Sequence, residues 1–254
     1  MGIMNIPKTV VIVPYRDRAA HRTQFLQVMK ENLSHLEDCQ IFFAHQADQR
    51  PFNRGAMKNL GFIAMKVKYP QHYKDMTFVF HDVDCWHREK GAIPYTTDHG
   101  VVSHYYGATY ALGGMFAIKG ADFDKTGGFP NFWGWGLEDN TMYDRALKAG
   151  LTVRRSPFYL MSDPNIARPF DGFKRLIAKR ESVVYKFEQP DDITALINCA
   201  WTINGDMIHV THFLCGTAAG DQEYGTFDIR QGGKLKIPAG QRRRPWGLNS
   251  IIRR

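Results

Sequence analysis

Cysteine is scarce and scattered: Cys39, Cys85, Cys199 and Cys215 include no C-x-x-C pair. That spacing excludes a zinc-finger pattern and a disulfide framework, and leaves buried or free thiols. No apolar run reaches the ~18 residues that a membrane span needs. Met1 leads almost directly into a strand, without the charged-then-apolar stretch of a secretory leader. A cytoplasmic protein is the expectation. Internal repeats are absent, and so is low complexity before the C-terminal tail. Most of the chain also lacks net charge. Of 33 Lys and Arg, eight fall between Arg230 and Arg254, where there is no Asp or Glu; 25 remain in the first 229 residues, against 25 acidic ones. The net charge of +8 therefore belongs to the tail. A neutral body without aromatic-interleaved basic repeats argues against nucleic acid as a partner.

What is present is a globular chain of 254 residues, 44% hydrophobic and 13% aromatic. Thr9 to Tyr15 is a β-branched apolar run of the kind buried in a parallel strand, ended by Pro14. Asp17, or the Arg-rich turn around it, caps a helix over Ala20 to Leu36, followed by a strand over Gln40 to Ala44. A helix from about Arg54 to Val67 and a strand from Thr77 to Phe80 continue the alternation. Strand, helix, strand, helix, strand predicts a doubly wound α/β sheet with ligands at the carboxyl ends of its strands. Arg16, Gln46 and Asp82 then share one edge. Beyond residue 90 the pattern predicts a mixed continuation. Its strands are Val101 to Tyr106, Gly114 to Lys119, Leu151 to Arg154, Ile193 to Ile203 and Met207 to Leu214, with helices near Asp122, over 138–149 and over 171–185. Residues 1–229 are expected to form one domain and 230–254 a basic, loosely structured tail.

The chemistry concentrates in Gly127 to Asn140, where Trp133 and Trp135 stand beside Glu138 and Asp139. Flat indole faces suit stacking on sugar rings, although a Trp-Gly repeat also makes a packed turn. Both acids fall in a first helical turn, where the helix dipole favours a carboxylate and one of them could accept a proton from a hydroxyl; simple capping is the alternative. Asp82-Val83-Asp84 ends the third predicted strand. Residues i and i+2 of a strand share a face, so the two carboxylates present hard oxygen donors of the kind a divalent cation on a diphosphate requires.

Taken in order, these motifs resemble the inverting β-1,4-galactosyltransferase family, which has the GT-A fold. Pro14-Tyr15-Arg16-Asp17-Arg18 is similar to the family's nucleotide loop and Phe52-Asn53-Arg54 to its Phe-Asn-Arg segment. Phe78 to Asp84 is similar to its metal strand; Gly113-Gly114 and Gly127 to Asp139 complete five ordered motifs across roughly residues 9 to 155. The resemblance implies a Rossmann-like mixed sheet flanked by helices, Mn²⁺ or Mg²⁺, and a UDP-sugar donor, either UDP-galactose or UDP-GalNAc, used on a glycan acceptor. It implies that Arg16, Arg18, Phe52 and Arg54 hold the nucleotide and that Asp82 and Val83 contact the donor. Asp84 would bind the metal together with Asp82, Gly114 and Trp135 would line the sugar site, Glu138 would hold a hydroxyl, and Asp139 would be the catalytic base.

Three departures bear on this. The family takes further metal ligands from a Met-x-x-His segment, whereas Leu160-Met161-Ser162-Asp163-Pro164 offers Met161 and no histidine. His209 or His212, in Met207 to His212, could supply an imidazole or could be structural. Ala111 stands where the family carries a bulkier residue beside the donor sugar, which leaves room for an N-acetyl group. Two rivals remain: a catalytically inactive sugar- or nucleotide-binding module, and a chondroitin-polymerase-like hexosaminyltransferase with related Asp-x-Asp and Trp-Gly-x-Glu-Asp patterns. The tail, with Arg242-Arg243-Arg244-Pro245-Trp246, reads either as a solvated terminus or as peripheral attachment to an anionic membrane.

Overall fold

The computed structural model describes residues 6–231. Strand β1 (Thr9–Tyr15) is buried at every position, as an unbroken apolar run requires of a strand covered on both faces. Its alternation sends Val10 and Ile12 into one core and Val11 and Val13 into the other. Helix α1 (Ala19–Asn32) seals the second core with Phe25 and Met29. Strand β2 (Cys39–Gln46) follows, and then helix α2 (Arg54–Lys68) packs Met57, Leu60 and Ala64 onto the first. Strand β3 (Thr77–His81) completes the alternation. β1 pairs in parallel with β2 on one side and β3 on the other, so the winding reverses there and opens a crevice at the carboxyl ends of these strands. Asp17 does not cap α1: it takes a positive φ of 49°, and the N-cap residue Arg18 makes no side-chain bond to the helix.

The remainder is mixed, as expected. β4 (Trp86–His87), β5 (Val101–Gly107) and β6 (Met115–Lys119) precede α3 (Gly120–Thr126) and α4 (Glu138–Lys148). β7 (Thr152–Arg154), β8 (Tyr159–Leu160), β9 (Ile166–Ala167) and β10 (Lys174–Ala178) lead to α5 (Lys179–Phe187). β11 (Ile197–Asn204), β12 (Met207–Leu214) and β13 (Tyr224–Asp228) end the described chain. The main sheet runs β11-β12-β2-β1-β3-β6-β5-β7, with β8 beside β5; β6 is antiparallel to both neighbours, and β12 returns parallel to β2. Helices cover both faces of this one sheet, a single α/β domain.

Two predicted elements change. Lys174–Ala178 is a strand paired with β13, so the expected helix over 171–185 begins only at Lys179. Ile193–Ala195 is a 3₁₀ turn, capped by the Asp192 side chain, which separates β11 from the preceding loop. All four cysteines are free thiols. Among the described residues no helix is long and apolar enough to cross a membrane. Residues 232–254 lie outside the described residues, and with them the two readings of the basic tail.

Candidate active site

The two tryptophans part company at Gly134, whose φ of 81° turns the chain between them. Trp133 faces inward at 1% exposure, stacks on Phe213 with centroids 5.6 Å apart and donates Nε1–H to the Thr217 carbonyl at 2.7 Å. It belongs to the core and cannot offer a face to a sugar, contrary to the expectation. Trp135 is 37% exposed and stacks one face on Phe227, leaving a single face for a ligand. Backbone bonds from Gly134 to the Phe52 carbonyl and from Trp135 to the Leu176 carbonyl stitch this turn to the segments before α2 and within β10.

Immediately after, Leu137 in the left-handed region starts α4 and places Glu138 and Asp139 against α2. Arg54 is the hub. Its guanidinium donates to Glu138 Oε1 at 2.5 Å and to Asp82 Oδ1 at 2.7 Å, and lies 3.7 Å from Asp139 Oδ2. Three motifs far apart in sequence thus meet on one side chain. Asn53 before it is structural: its side chain caps α2 through the Ala56 amide and binds the Asn131 carbonyl. Phe52 packs partly buried on the core, and Val83 is buried. Asp82 also donates its amide to the Gly114 carbonyl at 2.9 Å, which ties the β3 end to the Gly113-Gly114 turn.

Electrostatics separates these acids. Burial pushes Asp82 up, but Arg54 and Lys58 outweigh it, so its carboxyl sits below the ordinary value. For Glu138 burial wins over the same two cations and its carboxyl is raised. The dipole-based expectation of a readily ionised pair therefore fails at Glu138, which is 2% exposed and depends on Arg54 for its charge. Asp139 is held differently, by the Lys58 ammonium at 2.8 Å from Oδ1. Lys58 was not anticipated as a site residue. Its spacing of four from Arg54, one helical turn, is the signal that could have found it.

The Asp82–Asp84 segment departs from the strand picture, because β3 stops at His81 and Val83 and Asp84 form a turn. The carboxylates still interact: Asp84 is raised first by burial, then by Asp82 and Asp171. Asp84 Oδ2 lies 3.7 Å from Arg18 Nη1, and Arg18 Nη2 binds Asp171 Oδ2 at 2.9 Å. Arg18 Nη1 and His21 Nε2 are buried without a hydrogen-bond partner. Both residues border a cavity of about 210 Å³ with Asp17, Ala19, Ala20 and Asp171, at the uncapped N-terminus of α1. Arg16 serves the scaffold instead, clamping the Asp48 and Arg50 carbonyls beyond β2.

The histidine candidates for a metal are corrected. β12 is three strands from β3 in the sheet, ~14 Å at the usual strand spacing. His209 there contacts His45, Nδ1 to Nδ1 at 3.2 Å, while His212 borders a separate cavity with Trp133 and Arg50. Met161 follows β8 and is exposed, with its carbonyl bound by Arg168. Among the described residues no set of three His, Cys, Asp or Glu gathers to hold an ion. The donor set nevertheless suits a hard divalent cation. Asp82 and Asp84 are crowded carboxylates whose mutual repulsion a cation relieves, and oxygens of a bound diphosphate would supply further ligands.

Residues 4–95 match the family model described as the N-terminal region of glycosyl transferase group 7, and residues 100–167 match that described as the N-terminal domain of galactosyltransferase. β-1,4-Galactosyltransferase 1 of Bos taurus is 30% identical over 165 residues, which are 61% of this chain and 40% of that protein. Xylosylprotein 4-beta-galactosyltransferase of Caenorhabditis elegans is 30% identical over 185 residues, 66% of this chain and 60% of its own length. The match thus spans about two fifths of the vertebrate relative. A crystal structure of a mutant Drosophila β-1,4-galactosyltransferase 7 with manganese, UDP-Gal and xylobiose superposes with a TM-score of 0.63 at 18% identity, over 85% of this chain and 97% of that one. At that identity the likeness concerns the fold, which is the GT-A arrangement expected from the motifs.

Proposed function

Because the chain belongs to the galactosyltransferases of glycosyl transferase group 7, we propose that it transfers galactose from UDP-galactose to a glycan hydroxyl with inversion, in a metal-dependent reaction. The observation that carries this reading is the Arg54 hub, which gathers Asp82, Glu138 and Asp139 at the mouth of the β1/β3 crevice. Arg18 and His21, with their buried unpaired nitrogens at the α1 N-terminus, would bind the diphosphate. Asp84 and Asp82 would hold Mn²⁺ or Mg²⁺, which when bound supplies Lewis-acid neutralisation of the leaving diphosphate. Trp135 offers its free face to a sugar, and Glu138 accepts a hydrogen bond from a hydroxyl. Asp139 takes the proton of the acceptor hydroxyl as the hydroxyl oxygen bonds the anomeric carbon from the face opposite the diphosphate, and the bond from that carbon to the phosphate oxygen breaks with its electron pair leaving on UDP.

On the finer donor choice, Ala111 is a small residue buried close before the Gly113-Gly114 turn; a short side chain beside the donor sugar would admit an acetamide, so UDP-GalNAc is a second donor in this reading. The test is a panel of UDP-sugars with Mn²⁺ and an oligosaccharide mixture, monitored by release of UDP and by mass of the glycan product. Transfer from UDP-galactose that stops on chelation supports the proposal. Nucleotide binding without transfer to any acceptor would make the protein an inactive binding module.

A further inference from the structure

We propose that Lys58 is a positioning residue for transfer: with Gly113 it divides the two oxygens of Asp139 into one that is held and one that accepts the proton. The inference rests on the functional reading above and deepens it.

Lys58 lies in the middle of α2, yet its side chain is only 1% exposed. A lysine in that position is costly unless its charge is paired, and an apolar side chain of similar volume would fill the space. The pairing is specific. The ammonium sits 4.4 Å above the Phe129 ring and 2.8 Å from Asp139 Oδ1. Arg54, one turn earlier, is already shared between Asp82 and Glu138 and comes no nearer than 3.7 Å to Asp139. Lys58 is thus the nearer of the two cations that face Asp139, in hydrogen-bond contact with Oδ1, while Arg54 stands 3.7 Å off Oδ2 without a hydrogen bond to it.

The other oxygen is set from the opposite side. A Cβ on Gly113 would lie 2.3 Å from Asp139 Oδ2, so the carboxylate occupies the space that the missing side chain leaves. The Gly113 peptide is itself fixed. Arg155 Nε can only donate, so His104 Nδ1 accepts from it at 3.2 Å; Nε2 therefore carries the hydrogen, shared between the Tyr106 carbonyl at 3.0 Å and the Gly113 carbonyl at 3.1 Å. Burial keeps that imidazole neutral, with its pKa lowered to about 4.

An ammonium has three donors and no acceptor, and its charge opposes a proton arriving on Oδ1. Oδ2 is left to take it. In the transfer the acceptor O–H breaks with its proton passing to Oδ2, the acceptor oxygen bonds the anomeric carbon, and the bond from that carbon to phosphate breaks with its electron pair leaving on UDP.

Lys58→Met, Lys58→Arg and Gly113→Ala test this in the full chain, with kcat, KM for UDP-galactose, calorimetric UDP affinity and thermal midpoint measured on each. Lys58→Met is expected to lower kcat on the order of 10²-fold, the cost of misplacing a reacting group, with UDP affinity within about threefold. Lys58→Arg should recover most of kcat. Gly113→Ala should lower kcat similarly while Lys58 remains intact, and it carries the test if Lys58→Met does not fold. A folded Lys58→Met with kcat within about threefold of wild type overturns the inference alone, as does parallel loss of kcat and UDP affinity. A wild-type protein that transfers no sugar at all overturns the functional reading and this inference with it.

Discussion

Trp133 and Trp135 are two residues apart, yet one is a core side chain and the other a surface platform. Trp133→Ala should therefore cost about 3–5 kcal/mol of stability, the usual penalty for emptying an aromatic core position. Trp135→Ala should cost roughly 1 kcal/mol, the worth of its stack on Phe227, while raising acceptor KM. Denaturant melts alongside steady-state kinetics separate the two, and equal destabilisation would remove Trp135 from the sugar site. Asp139→Asn keeps the shape of the carboxylate and removes its basicity. Transfer should fall on the order of 10²-fold or more with UDP binding retained, and near-normal turnover would sink the base assignment. That Asp82, Glu138 and Asp139 gather in one place was legible in the sequence, because each stands in one of the ordered motifs. The burial of Trp133 was not legible, because the direction of an indole depends on the φ of Gly134 and on Phe213, eighty positions later.

Among the elements, the segment from Asp171 into β10 reaches the Arg18 turn through a direct ion pair. Asp171 bridges Arg18 and Arg175, and so occupies the guanidinium that a diphosphate would engage. Asp171→Asn should tighten UDP binding in Mn²⁺ roughly fivefold, which matches a pair worth about 1 kcal/mol. Calorimetric titration decides this: weaker binding would identify Asp171 as a ligand of the cation instead of a competitor for Arg18. The strands and helices through residue 81 could be read from periodicity because each buries an apolar face against the adjacent element. β10 could not, since Lys174–Ala178 becomes a strand only by pairing with β13 across the intervening helix and hairpin. His209 and His212 do not join Asp82 and Asp84 for a related reason: sequence order places β12 late in the chain without revealing that it lies on the far side of β2.

The whole molecule carries one acid–base dependence that its site residues do not. Glu181, beneath the Trp133 turn, is 6% exposed and accepts from Gln222 Nε2 at 2.9 Å; burial raises its pKa from 4.5 to about 7. A carboxyl raised on folding stabilises the protonated native state. Its contribution is complete below pH 4.5 and is lost as pH rises through about 7, amounting to roughly 3 kcal/mol. Glu181→Gln should therefore flatten the fall in thermal midpoint between pH 4.5 and 8, and an unchanged slope would show that the group is ionised at little cost. A different consequence follows from β12, which lies parallel beside β2 while Arg50 donates to the Phe213 carbonyl. The span matched by the two family models ends at residue 167, before β12 begins. A fragment ending there would leave the outer backbone groups of Phe43 to Gln46 unpaired, a hydrogen-bonding template open to another copy of itself. In the whole chain the late hairpin covers that edge, with Met207 to Val210 paired along Phe43 to Gln46.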